Sequence, residues 1–458
     1  MPLDPADAAA QRTAAVAALM AVWWLTEALP ISATALVPLV AFPALGILAP
    51  AQAAAPYANP VVFLFLGGFL LALALRRWGL HRRIALGIVS AVGTRPDRLV
   101  LGFMLGTAFL SMWISNTATA AMMVPIGLAL CTLLGPGGDG APSNFGTALM
   151  LGIAYAATIG GVGTLIGTPP NAIFAAAASD QLGRHIGFAE WMMVGVPVVL
   201  VMLPTTWLLL VRWLYPPEPL QPGAGALLQA ERDGLGRMHR GERITAIVFL
   251  LMAAGWIFRE PKTFGTFTLP GIASFAPGID DSTIAMAGAL LLFLAPAERG
   301  RAVLTWDDTR ELPWGVLLLF GGGLALARAF ETSGLAQAIA GVVGALGAVP
   351  TAVMLFSAGA LFLALSELAS NTAVAAMAMP ILAATALGLG IPPLPLMAVG
   401  AIATSCAFMM PVGTPPNAIV FGSGQVTIPQ MARAGIWLNL IALFVAAAAG
   451  LWLAPRLG

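Results

Sequence analysis

The chain has 458 residues, 59% of them hydrophobic and only 9% charged, with a mean hydropathy of +0.91. Soluble domains carry roughly 25% charged residues, so this composition excludes one and indicates a polytopic membrane protein. The net charge of +1 gives no reason to expect a nucleic-acid partner, and the arginines sit in loops that flank apolar runs.

The apolar segments fall at 12–28, 31–49, 60–75, 99–131, 149–177, 193–214, 244–258, 282–296, 314–330, 350–390, 395–421 and 433–454. The first 30 residues show no basic start followed by a cleavage site, so no removable signal is expected. A helix of about 20 residues spans the hydrocarbon. Segments 99–131 and 350–390 are too long for one helix, and each carries Ser-Asn-Thr near its middle, at Ser115-Asn116-Thr117 and Ser370-Asn371-Thr372. Each is expected to be a re-entrant hairpin whose first helix ends near Ile114 in the earlier copy and whose second begins near Thr117. Irregular backbone at membrane depth is tolerated only against protein or a watery cavity, so the tips should line one. Segments 149–177 and 395–421 each carry Gly-Thr-Pro-Pro-Asn, at 167–171 and 413–417. Adjacent prolines remove two donors, so each segment is expected to break and to free carbonyls around Leu165–Gly167 in the first copy. The 51 Gly and 35 Pro lie within apolar runs and mark broken helices and close packing rather than disorder.

The repetition extends beyond these motifs. Residues 59–85 resemble 312–340, and both end in amphipathic stretches, 80–93 and 334–347, expected to lie along the membrane surface. The chain therefore reads as an all-α polytopic membrane protein of two units, 1–214 and 244–458, joined by a Pro/Gly/charge-rich linker at 215–243. Each unit has five crossings, one re-entrant hairpin and one Pro-broken helix. An odd number of crossings inverts consecutive units, as in many secondary transporters. With residue 1 outside, the cytoplasmic side receives fifteen of the 21 Lys and Arg, among them Arg76, Arg77, Arg82, Arg83, Arg95 and Arg98. The outer side keeps six: Arg12, Arg184, Arg259, Lys262, Arg328 and Arg456. The positive-inside bias favours this orientation, which fits a bacterial inner membrane.

Chemically, a hairpin tip offers carbonyls without amide partners at one helix end and free N–H groups at the other. Ser, Asn and Thr cap such ends; the carbonyl end attracts a cation and the N–H end an anion. Gly167 and Gly413 permit close approach, and Thr168, Asn171, Thr414 and Asn417 add polar side chains. Sodium fits these neutral oxygens better than a transition metal, since His81, His185 and His239 all fall in or near loops. With no Arg or Lys at the tips, an anion must be held by helix ends, hydroxyls and amides, with co-bound cations supplying positive charge. Single motifs of this kind are often packing devices, since Ser and Thr can bond their own helix and Pro can merely kink. Two matched pairs point instead to one site built from two halves. Glu367, four residues before Asn371, reads either as an ion or proton ligand or as an orienting group, because Met112 occupies the matching position. Cys131 and Cys406 read as buried free thiols, and the methionines, like Trp23 and Trp24, as packing or interfacial residues.

The strings LSMWISNTATAAMMVP at 110–125, FLFLGGFLLALALRRWGLHRRIAL at 63–86 and both GTPPN motifs resemble the divalent anion/sodium symporter family. The resemblance covers nearly the whole chain. It implies inverted repeats, a homodimer and an elevator movement of the hairpins with their broken helices. By position, it implies a first sodium site at Ser111, Ser115, Asn116 and Gly167. The second would use Ser366, Ala369, Asn371 and Gly413. Substrate carboxylates would meet Ser115, Asn116, Thr117, Ser370, Asn371 and Thr372, with Thr168, Pro169, Thr414 and Pro415 flanking. Family members usually carry a further helix before the segment at 12–28, and this chain is expected to start after it, with its N-terminus outside.

The function so read is sodium-coupled uptake of small divalent anions, foremost C4-dicarboxylates such as succinate, malate or fumarate, with no organic cofactor. The alternatives are a sodium-independent dicarboxylate exchanger, a sulfate or citrate carrier of the same fold, or an anion channel. A membrane-embedded enzyme is disfavoured, because no His/Asp/Glu set sits at membrane depth.

Overall fold

The computed structural model describes residues 8–134, 142–220, 223–264, 267–298, 300–345 and 349–457. The chain opens with α1 (Ala8–Thr26), the short pieces α2 (Ile31–Thr34), α3 (Val37–Ala44) and α4 (Pro50–Ala54), and then α5 (Pro60–Arg77). The amphipathic α6 (Leu80–Val92) follows a left-handed glycine, Gly79, whose φ of 72° turns the chain sharply after α5. Next come α7 (Pro96–Ser111) and α8 (Asn116–Leu134), then α9 (Asn144–Gly161) and α10 (Pro169–Leu182), then α11 (Phe188–Leu208).

After α12 (Ala224–Gly234), α13 (Arg240–Ile257), α14 (Ile272–Phe275) and α15 (Asp281–Leu294), the same series returns. It consists of α16 (Trp314–Thr332), α17 (Leu335–Gly344), α18 (Thr351–Leu368), α19 (Asn371–Leu389), α20 (Pro393–Ser405), α21 (Pro415–Phe421) and α22 (Ile428–Trp452). Here too a left-handed glycine, Gly334, precedes the amphipathic element. Strands are confined, among the described residues, to two small antiparallel pairs at Lys262–Phe264 with Phe267–Leu269 and Pro296–Glu298 with Arg301–Ala302.

Seven helices among the described residues are long and apolar enough to cross a bilayer, including Ala8–Thr26, Phe188–Leu214 and Ile428–Arg456. Other expected crossings occur as shorter apolar pieces such as Ile31–Ala44, Asp281–Leu294 and Pro393–Ser405. This is an integral membrane protein.

The core of each half is a pair of helices packed against the broken one. In the first half α7 and α8 both pack on α9, and the fit depends on small residues. A Cβ on Gly160 would run into the Ala108 backbone, and one on Gly161 would lie 2.5 Å from Asn116 Oδ1. In the second half α18 and α19 pack on α20, and α22 closes over both α18 and α20.

The stretch 215–243, read as a linker, is partly helical. It contains α12, whose Ala224 and Leu228 are buried as the helix packs on α6. Flanking Pro and Gly hide an Ala/Leu/Gln/Glu stretch of ordinary helix propensity. Arg82 pairs with Glu231 at 2.9 Å; Arg83 pairs with the buried Glu242 at 2.5 Å and donates to the Leu235 and Gly236 carbonyls. His81, expected in or near a loop, is instead buried within α6, its Nδ1 2.6 Å from the Leu75 carbonyl oxygen. Cys131 and Cys406 are free and buried.

Candidate functional site

The chain breaks where the tripeptides occur. The earlier break is slightly longer than expected: α7 stops at Ser111 and α8 starts at Asn116, because Met112 to Ser115 turn rather than extend the helix. In the later copy α18 stops at Leu368 and α19 starts at Asn371, with Ala369 extended at φ −144° and ψ 169°. The GTPPN breaks match one another closely. Thr168 caps α10 at φ −142° and ψ 142°, and Thr414 caps α21 at φ −143° and ψ 148°, each followed by prolines at the first two helical positions. Pro fits there because those N–H groups have no helical acceptor.

All four breaks meet at one cavity of about 1050 Å³. Ser115, Asn116, Thr117, Thr168, Pro169, Ser370, Asn371, Thr372, Thr414 and Pro415 line it, as do Gly167, Ala369 and Gly413. Ser111 and Ser366 do not line it; both are fully buried just behind the tips. The starts of α8, α10, α19 and α21 therefore all face the same space; α8 and α19 bring the N–H groups of their first turns, whereas α10 and α21 begin with two prolines, which have none, and contribute their helix dipoles. Much of the remaining lining is apolar, with Leu25, Ile31, Phe65, Phe69, Leu73 and Val316. Only Glu27, Arg76 and Glu311 among the lining residues are charged, and Arg76 is held by Glu311 at 3.4 Å.

Behind the breaks the two prolyl motifs hold their own backbone. Asn171, fully buried, donates through Nδ2 to the carbonyls of Gly161 (3.0 Å), Val162 (3.2 Å) and Thr164 (2.7 Å). Asn417 does the same for Ala407 (3.2 Å) and Met410 (3.0 Å). The carbonyls tied down thus begin earlier than the expected Leu165–Gly167, because the unwound stretch starts where α9 ends at Gly161. Trp191 adds an indole N–H to Val162, and Thr164 Oγ1 donates to the Met112 carbonyl at 2.5 Å, linking the two breaks of the first half.

The second half uses a carboxylate for the same job. Glu367 Oε1 accepts from Phe408 N (2.7 Å), Met409 N (3.0 Å) and Asn439 Nδ2 (2.6 Å), and Oε2 accepts from Met409 N (3.1 Å) and Met410 N (3.2 Å). Between its two readings from sequence, these contacts make it an orienting group. Sequence reasoning missed Asn439, although a lone amide inside the apolar α22 is a signal of a buried partner.

The oxygen inventory suits a hard cation. Asn171 Oδ1, Ser366 Oγ, Asn371 Oδ1 and Asn417 Oδ1 are buried without a hydrogen-bond partner, a costly state unless something binds them. In the first half Ser111 Oγ donates to Asn116 Oδ1 at 2.7 Å. No group of three or more His, Cys, Asp or Glu is arranged to hold a metal among the described residues.

Residues 4–458 match the family described as the sodium:sulfate symporter transmembrane region. The chain is 44% identical over 441 residues to the sodium-dependent dicarboxylate transporter SdcS of Staphylococcus saprophyticus, covering 94% of this chain and 83% of that protein. It is 43% identical over 444 residues to SdcS of Staphylococcus aureus, with the same coverage. Among solved structures, the YdaH transporter of Alcanivorax borkumensis superposes with a TM-score of 0.57 at 14% identity, covering 95% of this chain and 98% of that one. MtrF of Neisseria gonorrhoeae gives 0.57 at 13% identity, covering 88% and 83%. These two likenesses concern the fold alone.

Proposed function

This chain belongs to the sodium:sulfate symporter family, and on that premise we propose that it carries small dicarboxylates, C4 acids foremost, across the membrane by coupling them to sodium. It is a transporter rather than an enzyme. The observation that carries the reading is the meeting of both tripeptides and both GTPPN motifs at one cavity whose wall holds helix N-termini but no unpaired cation. One carboxylate would lie against Ser115, Asn116 and Thr117 and the other against Ser370, Asn371 and Thr372. Sodium would be held beside Asn116 and Gly167 and beside Asn371 and Gly413, with Ser111 and Ser366 supplying oxygens from behind.

Two inverted units, 1–214 and 244–458, account for the repeated element series and the matching cap dihedrals. Segments 99–131 and 350–390 then act as re-entrant hairpins from opposite sides. With the N-terminus outside, the cavity mouth marked by Glu27, Arg76 and Glu311 faces the cytoplasm. The hairpins and broken helices would slide as a body against the apolar lining, in a homodimer within a bacterial inner membrane.

The test is uptake of labelled succinate into proteoliposomes under an inward sodium gradient, against the same vesicles in choline, with sulfate and citrate as competitors. Saturable uptake that requires sodium and resists sulfate is expected. Equal rates in choline would overturn sodium coupling.

A further inference from the structure

The two cation positions of the proposed transporter are built differently, and the difference lies in one buried charge. Glu367 is 7% exposed and takes only donors: three backbone N–H groups and the Asn439 amide. Both oxygens accepting and neither donating is the pattern of a carboxylate. None of these partners is cationic, so the negative charge is oriented but not neutralised. The N–H groups belong to the unwound stretch between α20 and α21 that ends at Gly413, and a Cβ on Gly413 would lie 3.2 Å from Glu367 Oε2. The charge therefore sits directly behind a residue of the second cation position. Ser366 Oγ and Asn371 Oδ1, on the same helix end and tip, have no hydrogen-bond partner to give up.

The first half has no such charge, and its unpartnered amide oxygen, Asn171 Oδ1, belongs to the prolyl break rather than to the tip. Met112 stands where Glu367 would be, and the unwound stretch is held by the neutral groups of Thr164, Asn171 and Trp191. Asn116 Oδ1 already accepts from the Ser111 hydroxyl, so a cation there would share that oxygen with an existing bond.

We propose that Glu367 is a positioning residue that makes the second-half cation position the tighter of the two and the first to fill, while it also fixes the backbone that presents Gly413. The inference rests on the sodium-coupled reading. A carboxylate behind the ligating atoms attracts a cation across a medium of low dielectric, whereas the neutral first half supplies dipoles alone.

Sodium titration of the purified protein, read by thermal unfolding at constant ionic strength in choline, tests this without requiring transport. Glu367→Gln keeps the shape and removes the charge. It should raise the sodium concentration for half-maximal stabilisation by about tenfold or more, the order found for outer-shell partners of metal ligands. In proteoliposomes, the half-saturating sodium for succinate uptake should move with it, while the succinate KM at saturating sodium changes by less than about twofold. Asn439→Ala leaves the charge but removes one of its donors, and should shift the sodium curve the same way by a smaller factor; it carries the test if Glu367→Gln does not fold. An unchanged sodium curve in either folded variant, or a loss of succinate affinity equal to that of sodium, overturns the proposal. A wild-type protein that shows no sodium response at all would overturn the transport reading itself.

Discussion

Asn171→Ala should destabilise the protein by between about 2 and 6 kcal/mol. The lower bound takes the three bonds from Nδ2 at the roughly 0.6 kcal/mol measured for polar contacts inside membrane proteins. The upper bound uses about 1 kcal/mol per bond and adds about 1–3 kcal/mol for a carbonyl left buried and unpaired. The Gly161 carbonyl is the exposed point of failure, since Val162 keeps the Trp191 indole and Thr164 keeps a weak bond from Gly167 N at 3.4 Å. Asn171→Asp sharpens the test. It replaces the donor by an oxygen facing three carbonyl oxygens in a fully buried position, so it should be worse than alanine. The assay is thermal unfolding in detergent with sodium absent, so that lost ion binding does not enter the comparison. An aspartate variant as stable as the alanine one, or an alanine variant as stable as wild type, would refute the tether.

Asn116→Ala and Asn371→Ala should each abolish sodium-driven succinate uptake while surface-accessible labelling shows normal membrane insertion; near-normal uptake by both contradicts the site. Gly161→Ala adds one methyl, yet its Cβ would meet Asn116 Oδ1 at 2.5 Å, so uptake should fall nearly as far as in Asn116→Ala, measured in the same vesicles. Arg83→Gln leaves Glu242 buried without its ion pair. It should release the linker at a cost of about 1–2 kcal/mol, discounted from a fully buried pair because Arg83 is part-exposed, and limited proteolysis around 223–240 should quicken.

The candidate site was legible in sequence because its motifs were written twice. SNTATAAMMVP against SNTAVAAMAMP, and GTPPNAI twice, gave the positions of all four breaks, and the structure gathers them at one cavity. What one strand of letters did not carry were the partners across the fold. Glu367 meets backbone at Phe408–Met410 and an amide at Asn439, groups remote in sequence and identifiable only once α18, α20 and α22 are packed together. Asn171 and Asn417 were visible as polar residues, but whether they faced the cavity or the break depended on side-chain direction. The apolar lining was invisible for a simpler reason: Phe65, Phe69 and Val316 look like any other membrane-helix residues until a cavity forms beside them.

The absence of a lysine or arginine from the tips and prolyl breaks carries the mechanism. A dianion facing helix ends alone would lose its hydration without an opposing full charge, and burying one ion in a low-dielectric medium costs several kcal/mol even after relaxation. A lysine or arginine at the tips would offset this, but it would leave an unpaired cation buried whenever the carrier crossed empty. Cations that come and go with the cargo avoid both penalties. At about 4 Å and an effective dielectric near 20, each sodium–carboxylate contact is worth roughly 4 kcal/mol, available only when both partners are present. That makes the affinity of each partner depend on the other by the same factor. On the proposed reading the empty and fully loaded cavities are the two that can cross, and the half-loaded one is held back by its own uncompensated charge.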